Sequence, residues 1–302
     1  MSDSNVTYVT RREYEHLDMR SEPGERAVWV RMRNAARPCM STALLEDLAQ
    51  AQKEIGDAAL QAQEVDAPDR VAYQVLASSR PGVFSLGGDL EHFLTLMEGG
   101  DRAGLFQYGK RCVDVLYMSA TAYGLPFTTI SLVQGQALGG GFEAALSNTV
   151  VVAEESATFG FPETLFGLFP GMGALSLLCR RVAPGLAKRI ITSGRLYSAR
   201  ELYDLGVVDV LARDGEGEQA VHDYISGRRS RETGFYALDR AAFRITPVSY
   251  DELIEVVRIW VDTAMTLSGR NRRLMRYLLE AQRRRWEEAS GVEDRVEEQA
   301  AV

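Results

Sequence analysis

The chain has 302 residues, of which 46% are hydrophobic and 25% charged, and its formal net charge is -8. This composition is typical of a globular protein with one large core, and it excludes a disordered or membrane-spanning chain. The negative charge disfavours nucleic acid as a partner, because a phosphate backbone would be repelled over most of the surface.

The three cysteines, Cys39, Cys112 and Cys179, show no metal-type spacing, and their odd number rules out a complete disulfide framework. Charges occur early in the chain where a signal peptide has an apolar stretch, and no apolar run approaches the ~18 residues of a membrane span. We therefore expect a cytoplasmic protein that does not bind membranes. No sequence signature indicates a metal, a flavin or a nicotinamide cofactor.

The first half of the chain predicts strands that alternate with helices. Its elements are, in order, a polar extension (1–26), a strand (Ala27–Met32), a helix (41–60), a strand (Val71–Ala77) and a loop (Val83–Asp89) that leads into helical sequence. The predicted helix has either Ser41 or Thr42 as its N-cap. The core is expected to begin at the first of these strands.

The second half continues this alternation and then becomes entirely helical. Its predicted elements are a buried strand (Phe127–Gln134), a glycine loop with a helix (139–147), a strand (Thr149–Ala153), a mostly helical stretch (174–210) and a last strand (Val207–Leu211). Alternating strands and helices favour an α/β fold, with a core over residues 27–215. Residues 216–290 show only helical patterns, and the acidic segment 291–302 is expected to fray.

Three consecutive glycines, Gly139 to Gly141, stand between a buried strand and a helix and leave backbone N–H groups free to face a ligand. The N-terminal end of the helix would favour an oxygen that gains negative charge, and Glu143 follows in the first turn. The alternative is a tight turn in which Glu143 only favours the helix dipole. From these residues alone the two interpretations are about equal, because a glycine-rich loop is a weak motif.

A second glycine pair, Gly87 and Gly88, precedes Asp89 and another helix-like stretch. Its backbone could supply a second N–H, and two converging donors are what an oxyanion hole requires. The alternative is an ordinary helix start with Asp89 as N-cap, and for this loop alone that interpretation is favoured.

A second carboxylate, Glu163, follows a predicted strand and has apolar neighbours in Phe161, Pro162 and Phe166. Apolar surroundings raise the pKa of a carboxyl group, and another carboxylate nearby would raise it further, as in an acid–base pair. A surface glutamate in a helix opened by Pro162 explains the same residues. Residue patterns leave both interpretations open.

Taken together, the segments Leu86–Asp89, Val133–Glu143 and Phe161–Gly173 resemble, in order and spacing, the crotonase (enoyl-CoA hydratase/isomerase) superfamily. The resemblance continues through Gly194–Leu202 and Leu205–Asp209. It implies a spiral of strand–strand–helix units, with C-terminal helices at 216–290 that cover the site or pack on a neighbouring subunit of a trimer or hexamer.

The resemblance also implies roles for individual residues. Gly88 and Gly140 correspond to the oxyanion-hole amides, and Glu143 and Glu163 correspond to the two glutamates of the hydratases. Members that lack one acid catalyse other reactions, so the presence of both indicates addition or removal of water. The residues implied to contact the acyl substrate are Leu86, Gly87, Gly139, Phe166, Trp260 and Leu267.

Within the superfamily the chain most resembles the synthases of cis-2-unsaturated fatty-acid quorum signals, the diffusible signal factor family. Leu86–Asp89 reads Leu-Gly-Gly-Asp, where housekeeping hydratases usually have Ala-Gly-Ala-Asp. This resemblance implies dehydration of a 3-hydroxyacyl group on acyl carrier protein, or on CoA, followed by hydrolysis of the thioester. It also implies a possible regulatory partner, the receiver domain of a sensor kinase. Two alternatives are a housekeeping enoyl-CoA hydratase without thioesterase activity and a non-catalytic acyl-binding or regulatory protein.

Overall fold

The computed structural model describes residues 13–33, 37–64 and 70–300, with side chains up to residue 284 apart from that of Glu64. In these ranges the strands are β1 (Leu17–Glu22), β2 (Ala27–Met32), β3 (Tyr73–Ser78), β4 (Gly82–Ser85), β5 (Thr128–Val133), β6 (Gly135–Leu138), β7 (Val150–Glu154), β8 (Thr158–Gly160), β9 (Leu196–Ser198) and β10 (Val210–Ala212). The helices are α1 (Thr42–Glu64), α2 (Leu90–Glu98), α3 (Arg102–Ala120), α4 (Gly140–Leu146), α5 (Ala174–Leu178), α6 (Pro184–Thr192), α7 (Ala199–Asp204), α8 (Gly217–Arg229), α9 (Glu232–Ile245), α10 (Tyr250–Met265) and α11 (Gly269–Ala300).

The strands form two sheets, and from β3 to β8 successive strands alternate between them. The larger sheet has the order β1-β2-β3-β5-β7-β10 and is parallel except for β1, and the smaller sheet has the order β4-β6-β8-β9. From β3 to β8, each turn of the chain adds one strand to each sheet. This is the predicted α/β spiral of strand–strand–helix units with a helical C-terminal region, and the fold class is confirmed.

The core has two parts, one on each face of the larger sheet. The main cluster joins the sheet to α1, α3, α4 and α10 through side chains such as Leu48, Leu105, Phe142 and Trp260. A smaller cluster includes Trp29, which packs with residues of α8 and α9 on the other face. Burial on both faces explains why β5 and β7 are composed almost entirely of apolar or small residues.

Several elements differ from the sequence-based expectations. β1 precedes the strand expected to be the first, and it pairs with β2 through a short turn at Pro23–Glu25. Its sequence LDMRSE is too polar to indicate a strand, because it lies at the edge of the sheet. Residues 83–85, predicted as the start of a loop, belong to β4, and β6 and β9 were not predicted.

The C-terminal segment was expected to fray over 291–302, and this stays a prediction. Up to Ala300 the segment belongs to α11, and residues 301–302 lie outside the described residues. Glutamate, alanine, arginine and glutamine are good helix formers, so the helix can propagate although the segment lacks large apolar residues. Within the described residues, no helix is both long and apolar enough to span a membrane.

Candidate active site

The predicted site segments follow three neighbouring strands of the smaller sheet. β4, β6 and β8 lie side by side and run parallel, so their carboxyl ends meet at the same edge. β4 leads to Gly88, β6 leads to Gly139 and Gly140, and β8 leads to the turn that carries Glu163. In open α/β sheets such an edge is the usual position of a ligand site.

The two glycine loops are in direct contact. A Cβ atom added to Gly140 would lie 3.3 Å from the nitrogen of Gly88, and one added to Gly87 would lie 3.4 Å from the nitrogen of Gly140. Gly87 and Gly139 have φ angles of 106° and 50°, which glycine adopts readily and other residues rarely do. The glycines therefore allow both loops to approach until their amides are neighbours.

The amides of Gly88 and Gly140 are available to a ligand. Gly140 is the first residue of α4, where a backbone N–H has no acceptor inside the helix. Among the described residues no hydrogen bond from either amide to the protein is found. Asp89 caps α2 as predicted, since its Oδ1 accepts from the His92 amide at 3.1 Å. The cap and the ligand-facing amide occur in the same loop, so the two interpretations of this motif do not compete.

Glu143 is buried on α4 and only 1% exposed. Its Oε1 accepts hydrogen bonds from the backbone amides of Met172 and Ala174, both at 2.9 Å. Burial raises the pKa of this carboxyl to about 7, and the backbone donors limit the rise because they stabilise the ionised form. A carboxyl in this setting is poised to exchange a proton near neutral pH.

Glu163 lies in a short 3-10 helix, Pro162–Phe166, which Pro162 opens as predicted. The residue as a whole is partly exposed, but its Oε2 is buried and has no hydrogen-bond partner. Its Oε1 lies against Gly139, where an added Cβ would be only 2.2 Å away. The pKa of Glu163 is raised to about 8, mainly by burial and to a smaller extent by the charge of Glu143. Glu163 is therefore not a solvated helix-start carboxylate.

The Glu163→Gln variant is expected to become more stable relative to the wild type as the pH rises. The raised pKa of Glu163 means that the folded state holds a proton that the unfolded chain releases above pH 4.5. Ionisation of the buried Glu163 therefore destabilises the folded wild type. This effect is absent below pH 4.5 and complete above about pH 8. Thermal unfolding should show the Tm difference between variant and wild type growing by at least about 2 °C from acidic to alkaline pH. A difference independent of pH would contradict the raised pKa.

One cavity of about 200 Å³ connects these groups. Its wall includes both glutamates and both glycines with free amides. It also includes four of the predicted acyl contacts: Leu86, Gly87, Phe166 and Trp260. Leu267 does not line it. That side chain is buried against Gly167, because it follows the end of α10. Gly139 is also absent from the wall, and its contact is with Glu163.

Sequence reasoning missed much of the cavity wall. Side chains of α1 and α3, including Leu48, Gln52, Cys112 and Ser119, extend it into the core. Only helical periodicity could have suggested that these residues face inward, and it does not indicate a cavity. Residues of α11 close another side: Leu278, Ala281 and Gln282.

Ion pairs attach α11 to α2 beside the cavity. Arg283 pairs with Glu91 at 2.6 Å, and Arg276 contacts Glu98. A groove lined by Arg37, Arg283 and Gln282 among others adjoins the cavity and shares Gly88 with it. Gly88 therefore lies where the two spaces meet.

The cysteines near the site are unsuited to act as nucleophiles. Burial raises the pKa of Cys39 to about 12, and burial also raises the pKa of Cys112, which lines the cavity. The thiolate is the reactive form of cysteine, and at neutral pH both groups remain thiols. Proton transfer by the glutamates is thus the better supported chemistry.

A family model described as Enoyl-CoA hydratase/isomerase matches residues 33–224. The chain is 35% identical over 190 residues to the enoyl-CoA hydratase domain-containing protein 2, mitochondrial, of Bos taurus, covering 62% of this chain and 60% of that protein. It is 33% identical over 131 residues to the probable enoyl-CoA hydratase of Bacillus subtilis, covering 43% and 48%. The matches thus span between 48% and 60% of the length of these two relatives.

Solved structures share the fold at lower identity. The human mitochondrial delta3-delta2-enoyl-CoA isomerase aligns with a TM-score of 0.70 and 18% identity over 90% of this chain and 99% of its own. DspI of Pseudomonas aeruginosa aligns with a TM-score of 0.58 and 20% identity, covering 82% and 86%. The family model matches more than half of the residues of this chain, and the chain therefore belongs to the enoyl-CoA hydratase/isomerase family.

Proposed function

We propose that the protein catalyses the reversible addition of water to a 2-enoyl thioester, which interconverts it with a 3-hydroxyacyl thioester. One observation carries this proposal: two carboxyl groups with pKa values raised to about 7 and about 8 lie on the wall of one cavity. The adjacent amides of Gly88 and Gly140 supply donors for the thioester oxygen. The relatives named as hydratases support the same reaction class.

The environments of the two glutamates support different roles. Glu143 accepts two backbone hydrogen bonds, which favour its ionised form, whereas Glu163 has an unpaired buried oxygen and the higher pKa. During hydration, Glu143 takes a proton from water as the oxygen bonds to C3, and Glu163 gives its proton to C2. Dehydration reverses both transfers. The Gly88 and Gly140 amides hold the enolate-like oxygen between the two steps.

The activity is expected to depend on pH as a bell-shaped curve. The reaction needs one ionised and one protonated carboxyl, so log kcat/KM should rise toward about pH 7 and fall above about pH 8. The two apparent pKa values of this curve describe the pair of carboxyls and not either residue alone, because two interacting carboxyls titrate together. Initial rates from about pH 5 to pH 10 would measure them. A flat profile across this range would contradict the proposed pair.

A second proposed function adds hydrolysis of the thioester, as the resemblance to the diffusible signal factor synthases implies. It uses the same placement of the substrate, since a carbonyl held at Gly88 would have its acyl chain in the cavity and its thiol arm in the groove. A water activated by Glu143 would add to the carbonyl carbon, and cleavage of the C–S bond would release a free acid and a protonated thiol. The comparisons favour the hydratase alone, so we place hydrolysis second.

Supplying a 3-hydroxyacyl thioester on CoA and on acyl carrier protein would separate these proposals. A hydratase alone converts both the enoyl and the 3-hydroxyacyl forms without release of thiol. A synthase releases thiol and free 2-enoic acid, with carrier protein as the preferred partner. Absorbance of the enoyl thioester, a thiol reagent and mass spectrometry of the acid would follow the products. Absence of turnover and thiol release, with tight acyl binding, would support the non-catalytic alternative instead.

The remaining expectations about this protein stay proposals. They are a trimeric or hexameric assembly, a cytoplasmic location and regulation by a sensor-kinase receiver domain. Lipid analysis of cells that express the chain, compared with cells that express the Glu143→Gln variant, would test whether a cis-2-unsaturated acid is the product.

A further inference from the structure

The cavity continues beyond the glutamates into the space between α1 and α3. Near the site, the Tyr108 hydroxyl of α3 donates to the Met40 carbonyl at 2.5 Å, and Met40 forms a bridge with Gly88. Farther along, Gln52 of α1 contacts α3 near Ser119. Contacts farther along α1 are made to residues farther along α3, so the two helices run side by side away from the two glycine loops.

The length of this space follows from helix geometry. Tyr108 and Ser119 both line the cavity, and the rise of an α-helix places their backbones about 17 Å apart. The wall between them is mainly apolar and includes Leu45, Leu48 and Leu116. Such a channel suits an extended acyl chain of medium or greater length.

The far end of the channel is polar. Gln52, Gln74 and Ser119 line it, and the exposed fractions of the two glutamines are 4% and 2%. An apolar chain end would gain nothing from two buried amides, and a core position normally avoids them. Their presence requires a hydrogen-bonding partner.

Gln52 has one end of its amide unpaired. Its Nε2 donates to the Val115 carbonyl and to the Ser119 hydroxyl, both at 3.0 Å. Because a carbonyl can only accept, this contact fixes which end of the amide is nitrogen. The other end, Oε1, is buried and has no hydrogen-bond partner. An unsatisfied buried acceptor costs about 1–3 kcal/mol, so a donor at this position would be favourable.

Gln74 provides a second amide at the same end. One end of this amide bonds the Tyr123 hydroxyl, and among the described residues no partner is found for the other end. The charged residues on the cavity wall are Glu143 and Glu163, both at the catalytic end. A charged group at the far end would therefore be buried without a counter-ion, which is strongly unfavourable. The end suits a neutral group that both donates and accepts.

We propose that the far end of the cavity binds a hydroxyl group at the distal end of the acyl chain. The hydroxyl would donate to Gln52 Oε1 and exchange a second hydrogen bond with Gln74. This inference concerns the substrate of the proposed reaction and rests on that function for its biological meaning. Its physical test needs binding alone, so failure of the catalytic proposal would not affect the result.

Calorimetric titration of the wild-type protein with matched free fatty acids provides this test. Decanoic, dodecanoic and tetradecanoic acids would each be compared with the corresponding acid that carries a terminal hydroxyl. For the chain length that fits, the hydroxylated acid should bind about tenfold more tightly, the equivalent of ~1.4 kcal/mol. Equal or weaker binding of the hydroxylated acid at every length would overturn the proposal and indicate that water satisfies Gln52.

Variants separate the polar end from the apolar wall. Gln52→Leu should abolish or reverse the preference for the hydroxylated acid, because the acceptor is lost and a methyl terminus becomes favourable. Leu48→Met, on the same wall of α1, should leave the ratio of the two affinities unchanged. If Gln52→Leu fails to fold by circular dichroism, Gln52→Met replaces it. An unchanged ratio in a folded Gln52 variant would also overturn the proposal.

Discussion

Glu143→Gln and Glu163→Gln should each lower kcat for hydration of a 2-enoyl thioester by about 10²- to 10⁴-fold, the usual contribution of a general acid or base. The amide keeps the shape of the side chain but cannot exchange the proton. KM should change little, since the cavity wall and the two glycine amides are retained. Steady-state kinetics with purified variants measure both quantities.

A double variant tests whether the glutamates act as one unit. If each needs the other, Glu143→Gln/Glu163→Gln should be no slower than the poorer single variant, because a cooperating pair is lost with its first member. Glu46→Gln is the matched control: its side chain is exposed on α1, and its activity should equal that of the wild type. Near-normal turnover by either single variant would remove that residue from the proposed chemistry.

Gly140→Ala should lower kcat by about 10²-fold, because the two oxyanion amides would no longer converge. The new Cβ would lie 3.3 Å from the Gly88 nitrogen and 3.5 Å from the Gly87 carbonyl carbon, which is tight enough to push the neighbouring loop away. The backbone of Gly140 is helical, so alanine introduces no strain at the residue itself.

The control for this substitution is Gly185→Ala on α6, where an added Cβ meets no atom within 4 Å. Both variants add one methyl group near a helix start, but only the methyl group at Gly140 lies against the Gly88 amide. Unfolding curves would show whether Gly140→Ala remains folded. Activity of a folded Gly140→Ala variant within about twofold of wild type would argue against the oxyanion role of this loop.

Sequence patterns predicted those parts of the fold whose local signals agree with their final environment. Thr128–Val133 is apolar and β-branched and lies buried in the larger sheet, and Ser41 caps α1 as expected. The short strands β4 and β6 were missed because each begins with glycine, which weakens a strand signal. At Gly135 an added Cβ would lie 2.0 Å from Gly82, so the same glycine that hides β6 allows it to pack on β4.

The site was predictable at the level of segments but not of environment. Glu143 and Glu163 follow glycine or proline signals in the sequence, yet their burial depends on tertiary contacts. The amides of Met172 and Ala174 reach Glu143 from about 30 positions farther along the chain, and no local pattern predicts such a contact. The polar end of the cavity was also invisible, because Gln52 in an amphipathic helix looks like a surface residue.

Trp260 connects the C-terminal helices to the ionisation of Glu143. Its ring lies so close to Gly171 that a Cβ there would be 2.3 Å away, and Gly171 precedes Met172, whose amide binds the Glu143 carboxyl. A change in the position of α10 would therefore alter the pKa of Glu143 on α4. The spiral and the helical region are therefore not independent of each other, and exchanging the C-terminal helices between relatives would change the pKa of the proposed base Glu143 as well as the shape of the cavity.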